Sequence, residues 1–293
     1  MRITITGATG RLGGLIVQAL RERGDDVTIL SRSAEKGVQW DPLRGPAPSQ
    51  ALNGRDAVIH LAGEDIAQRW DDESLRRIRE SREVGTHNLV EGIRAADLKP
   101  KALICASAVG YYGNRHDPID EDAKPGTDVL AQVCIAWERE AQRAEEFGTR
   151  VVRVRTGVVL ERHGGALEKM LVPFRLGVGG PVAGGKQPMP WIHVDDVVGI
   201  YLRALDDESW TGPVNATAPE PVTNEEFSKA LGRALHRPAI APVPAFAIKA
   251  LYGGMAKLVI EGQRALPRRT LELGYAFKHP DLDEALRSAL QDT

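Results

Sequence analysis

The chain has 293 residues, and 38 Lys and Arg against 40 Asp and Glu leave a formal net charge of −2. That balance excludes a broad polybasic surface and argues against nucleic acid as a partner. A content of 42% apolar and 27% charged residues excludes wholesale disorder. The only cysteines, Cys105 and Cys134, give no disulfide framework and no zinc site by themselves, which fits a reducing compartment. No apolar run approaches the roughly 20 residues of a bilayer span. The opening MRITITGATG has neither the basic region nor the apolar stretch of a signal peptide. The expectation is a soluble cytoplasmic protein with no membrane contact, its oligomeric state open.

In chain order, Arg2 to Thr6 is a β-branched run that ends in the glycine-rich Gly7-Ala8-Thr9-Gly10-Arg11-Leu12-Gly13. Leu12, Leu15, Ile16, Ala19 and Leu20 then recur at helical spacing, and Gly24 closes the segment. A second strand, Val27 to Leu30, runs into Ser31-Arg32-Ser33, and Asp41 to Gly54 reads as a Pro/Gly-rich loop. Ala57 to Leu61 is a further strand that enters a small-residue turn, Ala62-Gly63. Asp72 to Ala96 is helical in pattern, Ala102 to Ala106 a strand, Leu130 to Phe147 a helix and Val151 to Leu160 a β-rich run. Strands alternating with helices predict parallel βαβ units, hence an α/β fold with a Rossmann-type doubly wound parallel sheet. From Arg162 to Pro190 glycine and proline predict a long loop region, Trp191 to Leu205 has helical spacing, and Val214 to Ala216 is a late strand of the same sheet. The expected division is residues 1–217 as the dinucleotide-binding domain, with 161–190 contributing to the substrate side. Residues 218–293 then form a smaller, mainly helical substrate or partner module.

Three glycines between a first strand and a first helix have a specific physical use. Gly7 permits the tight turn, Gly10 lets backbone approach a diphosphate, and Gly13 lets the helix pack closely on the sheet. The helix N-terminus adds free N–H donors and partial positive charge. A structural turn without a ligand is the alternative. At the end of the second strand a carboxylate would bind a ribose 2′-hydroxyl, but the chain offers Ser31-Arg32-Ser33. A guanidinium pairs with a phosphate and flanking hydroxyls donate to it, so the predicted cofactor is NADP(H) rather than NAD(H).

These segments resemble the extended short-chain dehydrogenase/reductase (SDR) family: the loop Thr6 to Gly13, the strand Asp56 to Gly63, and Trp191-Ile192-His193-Val194-Asp195-Asp196-Val197. Ser107-Ala108-Val109-Gly110-Tyr111-Tyr112-Gly113, Trp137-Glu138, Pro173 to Gly177 and Gly179-Gly180-Pro181 resemble an atypical branch, the NAD-dependent epimerase family proteins, also called SulA-like. Glu261 to Arg264 and Pro267 to Leu271 are similar to that branch's C-terminal domain of unknown function. The resemblance implies that Leu61, Ala62 and Gly63 line the cofactor and that the helix carrying Arg82 runs beside it.

The same resemblance implies a Ser, a Tyr, and a Lys four residues after the Tyr, the tyrosine exchanging a proton while hydride moves and the ammonium lowering its pKa. Ser107 stands at the serine position. Leu130 and Cys134 stand where Tyr and Lys are expected, so the usual set is broken. Tyr111 and Tyr112 are the substitute proton donors to weigh, against a role as packing residues with bonded hydroxyls. Arg155, at the end of the strand Val151 to Arg155, is a candidate cofactor contact, as is Arg82; each has a surface ion pair as its alternative. Cys134 and Trp137 read as core, and Glu138 as a capping or pairing residue. His60 and His193 beside apolar strands read as satisfied core histidines. His116 and His163 lack a second ligand at metal spacing, so no metal is predicted. The functional expectation is an NADP(H)-dependent oxidoreductase or epimerase-like enzyme on a small carbonyl or hydroxyl compound. The competing one is a non-catalytic NADP(H)-binding sensor or regulator.

Overall fold

Strands with both faces covered by helices need unbroken aliphatic runs, and this chain supplies them: Ile3, Ile5, Val58, Ile59, Leu103, Ile104, Val152 and Val154 are all fully buried. The computed structural model describes residues 1–291. Its first half runs β1 (Arg2–Thr6), α1 (Arg11–Glu22), β2 (Asp26–Ser31), β3 (Val38–Gln39), β4 (Ala57–His60), α2 (Asp72–Ala95), β5 (Ala102–Ala108), β6 (Arg115–Ile119), α3 (Val129–Gln142) and β7 (Arg150–Thr156). There follow β8 (Val158–Leu160), α4 (Gly165–Arg175), β9 (Pro188–Met189), β10 (Trp191–His193), α5 (Val194–Asp206), β11 (Gly212–Ala216), β12 (Val222–Thr223) and α6 (Asn224–Leu235). The last elements are α7 (Ala245–Tyr252), α8 (Lys257–Ile260), β13 (Gln263–Ala265), α9 (Arg268–Glu272) and α10 (Leu282–Leu290).

Seven strands form one sheet in the order β11-β7-β5-β4-β1-β2-β3. Every neighbouring pair is parallel, in registers such as Ile3↔Val27, Ile5↔Ile59, Ile104↔Val152 and Val154↔Val214. Strand order reverses at β1, where β2 lies on one side and β4 on the other, and ligands bind at such a switch point beyond the carboxyl ends of the strands. On one face Ile16 and Leu20 of α1 and Val197 and Tyr201 of α5 pack on Ile3, Ile5 and Val152. On the other, Leu89 and Val90 of α2 and Trp137 and Ala141 of α3 pack on Val58, Leu103 and Val151. This is the doubly wound α/β architecture that the alternation of elements predicts.

The helices begin where the chain offers caps. Asp71 accepts from Ser74 N at 2.7 Å while Ser74 Oγ accepts from Asp71 N at 2.8 Å, and Thr223 and Glu226 form the same reciprocal box at α6.

The second half departs from expectation in three places. The β-rich run 151–160 is two strands, split at Gly157; β8 leaves the main sheet and pairs with β10. A Cβ on Gly157 would stand 2.1 Å from Pro190 O, so only glycine permits that close crossing. Trp191 to His193, the start of the segment read as helical, is the strand β10. The region 162–190 contains α4, which tolerates Pro173 late in its course and buries Leu167, Leu171 and Phe174. Those side chains join Trp191, Phe227, Leu231 and Leu286 in a third core, so α4, α6 and α10 pack as one layer beside the sheet.

Candidate functional site

At the carboxyl end of β1 the chain turns at Gly7, whose φ of +72° suits glycine and where a Cβ would lie 2.7 Å from the carbonyl carbon of Leu61. A Cβ on Gly13 would stand 2.2 Å from Gly7 O, which is why α1 can sit so close to the loop. Gly10 caps α1 with no side-chain bond, and no acidic residue occupies the first turn. The helix therefore presents unpaired amides and an uncompensated dipole at the switch point. Arg11 bonds Glu161 at 2.5 Å, and Leu12 packs partly buried against the core. Ala8 is half-buried and Thr9 exposed at the tip of the loop.

The adjoining turn is fixed by a buried hydroxyl. Thr6 Oγ1 accepts from the Leu61 and Ala62 amides, each at 3.2 Å, and lies 2.7 Å from His60 Nδ1. With its oxygen engaged, the hydroxyl proton goes to Nδ1, and His60 Nε2 donates to Thr86 Oγ1 at 3.0 Å. Burial, helped by the positive charge of Arg82, pulls this imidazole down to about 4. His60 is thus the satisfied core histidine, and it holds Leu61-Ala62-Gly63 against Gly7.

On the β2 side, Ser33 N donates to Ser31 Oγ at 3.2 Å, and Arg32 is exposed. Arg32 borders a groove of about 620 Å³ shared with Trp40, Asp41, Arg44 and Pro46. On the β4 side, Arg82 crosses from α2 to the Gly63 turn, where Nη1 donates to Glu64 O at 3.0 Å. The groups predicted for the cofactor at β1, β2 and β4 therefore all lie around the carboxyl end of β1.

Arg155 does not join them. It is 2% exposed and forms a two-pronged pair with Glu138, Nε to Oε1 at 2.8 Å and Nη2 to Oε2 at 2.9 Å. Its Nη1 donates to Tyr112 OH at 3.0 Å and to Glu121 O at 3.1 Å, and its guanidinium lies 3.5 Å from the Tyr111 ring centroid. Burial works against this charge, but the bonds to Glu138 outweigh it and raise the pKa above the ordinary arginine range. The expectation of an arginine reaching a ligand at the strand end gives way to an internal ion pair. Tyr112 is likewise engaged inside the protein: 1% exposed, it donates to Asn215 Oδ1 at 2.7 Å, and burial pushes its pKa up. Tyr111 is half-buried beneath Arg155. Ser107 donates to Glu138 Oε1 at 2.6 Å, a short charge-assisted bond.

Cys134 and Leu130 flank Gly110, their Sγ and Cβ lying 3.8 and 3.6 Å from where a Gly110 Cβ would stand. Burial, reinforced by the Glu138 charge, pushes the Cys134 thiol up to about 12, so it stays protonated at neutral pH. Sequence reasoning missed the Glu138–Arg155–Tyr112–Asn215 chain, whose members come from α3, β7, the turn after β5, and β11. It also missed the approach of His193, Asp195 and His279, whose donor atoms lie within 4.8 Å of one another. There His193 Nδ1 accepts from Asp195 N at 3.2 Å at the start of α5, so the lone pair a cation would need is engaged. The His193 and His279 rings lie tilted by 41° with centroids 3.9 Å apart.

The parallel sheet, the glycine loop at its switch point and the arginine at the end of β2 define a Rossmann-type dinucleotide fold. Residues 3–215 match the model of the NAD dependent epimerase/dehydratase family, and residues 243–289 match a domain of unknown function, DUF1731. The epimerase family protein SDR39U1 of Homo sapiens is 39% identical over 98% of this chain and 99% of its own length. Its chloroplastic homologue in Arabidopsis thaliana is 40% identical over 99% of this chain and 87% of its own length. The crystal structure of the human protein (isoform 2) with NADPH superposes with a TM-score of 0.91 at 38% identity, covering 99% of both chains. This chain belongs to the NAD-dependent epimerase/dehydratase family, as an atypical extended short-chain dehydrogenase/reductase that carries the C-terminal domain of unknown function.

Proposed function

We propose that the protein binds NADP(H) across the carboxyl ends of β2, β1 and β4, and that it is an oxidoreductase or epimerase-like enzyme for a small carbonyl or hydroxyl compound. The observation that carries the binding is the loop itself: Gly7 at φ +72°, Gly13 against Gly7 O, and an uncapped α1 with no acid in its first turn. The human relative crystallised with NADPH supports the choice of cofactor. In this reading the α1 amides, with the Gly7 to Gly13 loop, hold the diphosphate, and Arg32 with Ser31 and Ser33 holds the 2′-phosphate. Bound cofactor supplies or accepts hydride. Because Ser107 gives its proton to Glu138, its oxygen retains lone pairs that accept from a substrate hydroxyl. Residues 161–190 and 218–291, joined in the third core, make the substrate or partner side. Among the described residues no helix is long and apolar enough to cross a membrane. A cytoplasmic setting accords with Cys105 and Cys134, both buried and unpaired.

Calorimetric titration with NADPH and NADH tests the binding. Tighter NADPH binding that Arg32→Asp reverses supports it, and no heat with either coenzyme from folded protein overturns it. A specific observation favours a second reading, a non-catalytic NADP(H)-binding regulator: Leu130 and Cys134 replace the proton-transferring pair, and Tyr112 is locked to Asn215. NADPH consumption across carbonyl compounds separates the two. Turnover that falls on Ser107→Ala or Tyr111→Phe supports the enzyme, and tight binding without turnover supports the regulator.

A further inference from the structure

We propose that the surface shared by residues 169–194 and 227–260 is a docking face for an anionic phospholipid bilayer. It goes beyond the dinucleotide reading and stands independently of it, and it replaces the expectation of no membrane contact. The sequence supplies the first observation. Neither stretch contains an Asp or Glu, although the chain holds 40, and together they carry eight of its 38 Lys and Arg. The remainder of the chain is correspondingly acidic, with 30 Lys and Arg against all 40 carboxylates. A protein that is nearly neutral in sum is therefore strongly divided in charge, and its basic part complements an anionic surface.

The fold brings the two stretches together. Ala183 N donates to Val243 O and Val243 N to Pro181 O, each at 2.9 Å. Gly180 lies so close to Ala241 that a Cβ would meet its carbonyl oxygen at 2.2 Å, and Gln187 Nε2 donates to Val259 O at 2.9 Å. Arg175, Lys186, Arg237, Lys249 and Lys257 are exposed on these segments, and none has an ion-pair partner among the described residues. Apolar side chains stand out between them. Half of the twelve large apolar residues exposed among the described residues come from these two stretches, a fifth of the chain. Ile240, Phe246 and Leu176 are 82%, 75% and 73% exposed. On α7, Phe246 and Lys249 are three residues apart, so an apolar tip and a cation share one helix face, while Ile248 is buried.

Exposed apolar tips among unpaired cations suit the boundary between acyl chains and anionic headgroups, where the tip is buried and the charge stays at the phosphates. A hollow of about 670 Å³ beside Ile240, lined by Lys229, Arg233, His236 and Arg237, gives space for a headgroup. Lys229 and Arg233 are paired with Glu225 and Asp283, which leaves Arg237 to meet a phosphate. Among the described residues no helix is long and apolar enough to span a bilayer, so the attachment is to its surface.

The test is sedimentation of the full chain with vesicles of phosphatidylcholine alone or with about 30% phosphatidylglycerol, at ~0.1 M and ~0.5 M salt. One variant combines Arg175→Glu, Arg237→Glu and Lys249→Glu, and another Leu176→Ser, Ile240→Ser and Phe246→Ser. The control combines Arg21→Glu, Lys99→Glu and Lys124→Glu, exposed cations elsewhere. Every substituted side chain is exposed, so thermal midpoints should match wild type, and NADPH titration reads the dinucleotide site separately. Wild type is expected to bind the anionic vesicles roughly tenfold or more tightly than the neutral ones, and to lose that preference at the higher salt. Both face variants should bind them roughly tenfold or more weakly, and the control as wild type does. No binding to anionic vesicles, equal binding to both kinds, a control that falls with the charge variant, or a serine variant that binds as wild type overturns the proposal. So does ultracentrifugation showing a dimer that the serine variant dissociates, which would assign the face to a second copy of the chain.

Discussion

The proton on His60 depends on two threonines. Thr6 delivers a hydroxyl proton to Nδ1 and Thr86 accepts from Nε2, so a second proton on the ring would leave two donors facing each other in a site with no solvent access. The folded ring titrates at about 4 against an ordinary value of 6.5. Between those values the unfolded chain binds a proton and the folded one does not. Stability is therefore greatest above pH ~6.5 and falls as pH drops toward ~4, by up to about 3 kcal/mol from this group. The imidazole C–H resonances of His60 should keep their neutral positions at pH 5, and a midpoint near 6.5 would contradict the assignment. The same hydroxyl that meets His60 also orders the Leu61-Ala62-Gly63 turn, so the turn loosens with it.

At the scale of elements, α1 and its loop are one unit whose geometry depends on missing side chains. Gly13→Ala would force a methyl to 2.2 Å from Gly7 O, and the helix would have to move away from the sheet. The expected cost is about 2 kcal/mol, read as a lower denaturant midpoint at unchanged slope, together with weaker NADPH binding. An unchanged midpoint would mean that the loop yields instead of the helix. This unit was legible in the sequence because everything it needs is local: a strand, three spaced glycines and an amphipathic helix within residues 2–22. The central strands were legible for the same reason, each being a short aliphatic run between turn signals. Element α4 was not, because Gly164, Gly165 and Pro173 masked the spacing of Leu167, Leu171 and Phe174. The split at Gly157 was invisible because it is set by the close passage of Pro190. The Glu138–Arg155 pair was unreadable in kind: a strand-end arginine looks the same whether its partner is a ligand or a glutamate on a neighbouring helix.

Over the whole molecule, buried polar groups tie the C-terminal segment to α5 and to the edge strand β11. Fully buried Asp196, in the first turn of α5, accepts from Lys278 N at 2.7 Å, His279 N at 3.0 Å and Tyr275 OH at 3.2 Å. The edge strand β11 is tied in the same way, since Asn215 donates to Leu266 O at 2.8 Å and Thr217 donates to Ala265 O at 3.1 Å. Glu121 adds to this by accepting from Asn215 N and Arg269 N, and burial raises its pKa above the ordinary glutamate range. Removing the Asp196 carboxylate would take their acceptor from the Lys278 and His279 amides, the costly side of the hydrogen-bond balance. Asp196→Ala is therefore expected to destabilise the protein by about 2–4 kcal/mol. If the segment is fastened chiefly at that carboxylate, the amides of Lys278 and His279 should lose hydrogen-exchange protection more than the amides of β1 and β4 do. Equal loss everywhere would show that the segment and the sheet open only together, with Asp196 contributing to one cooperative unit rather than acting as the local fastening of the C-terminal segment.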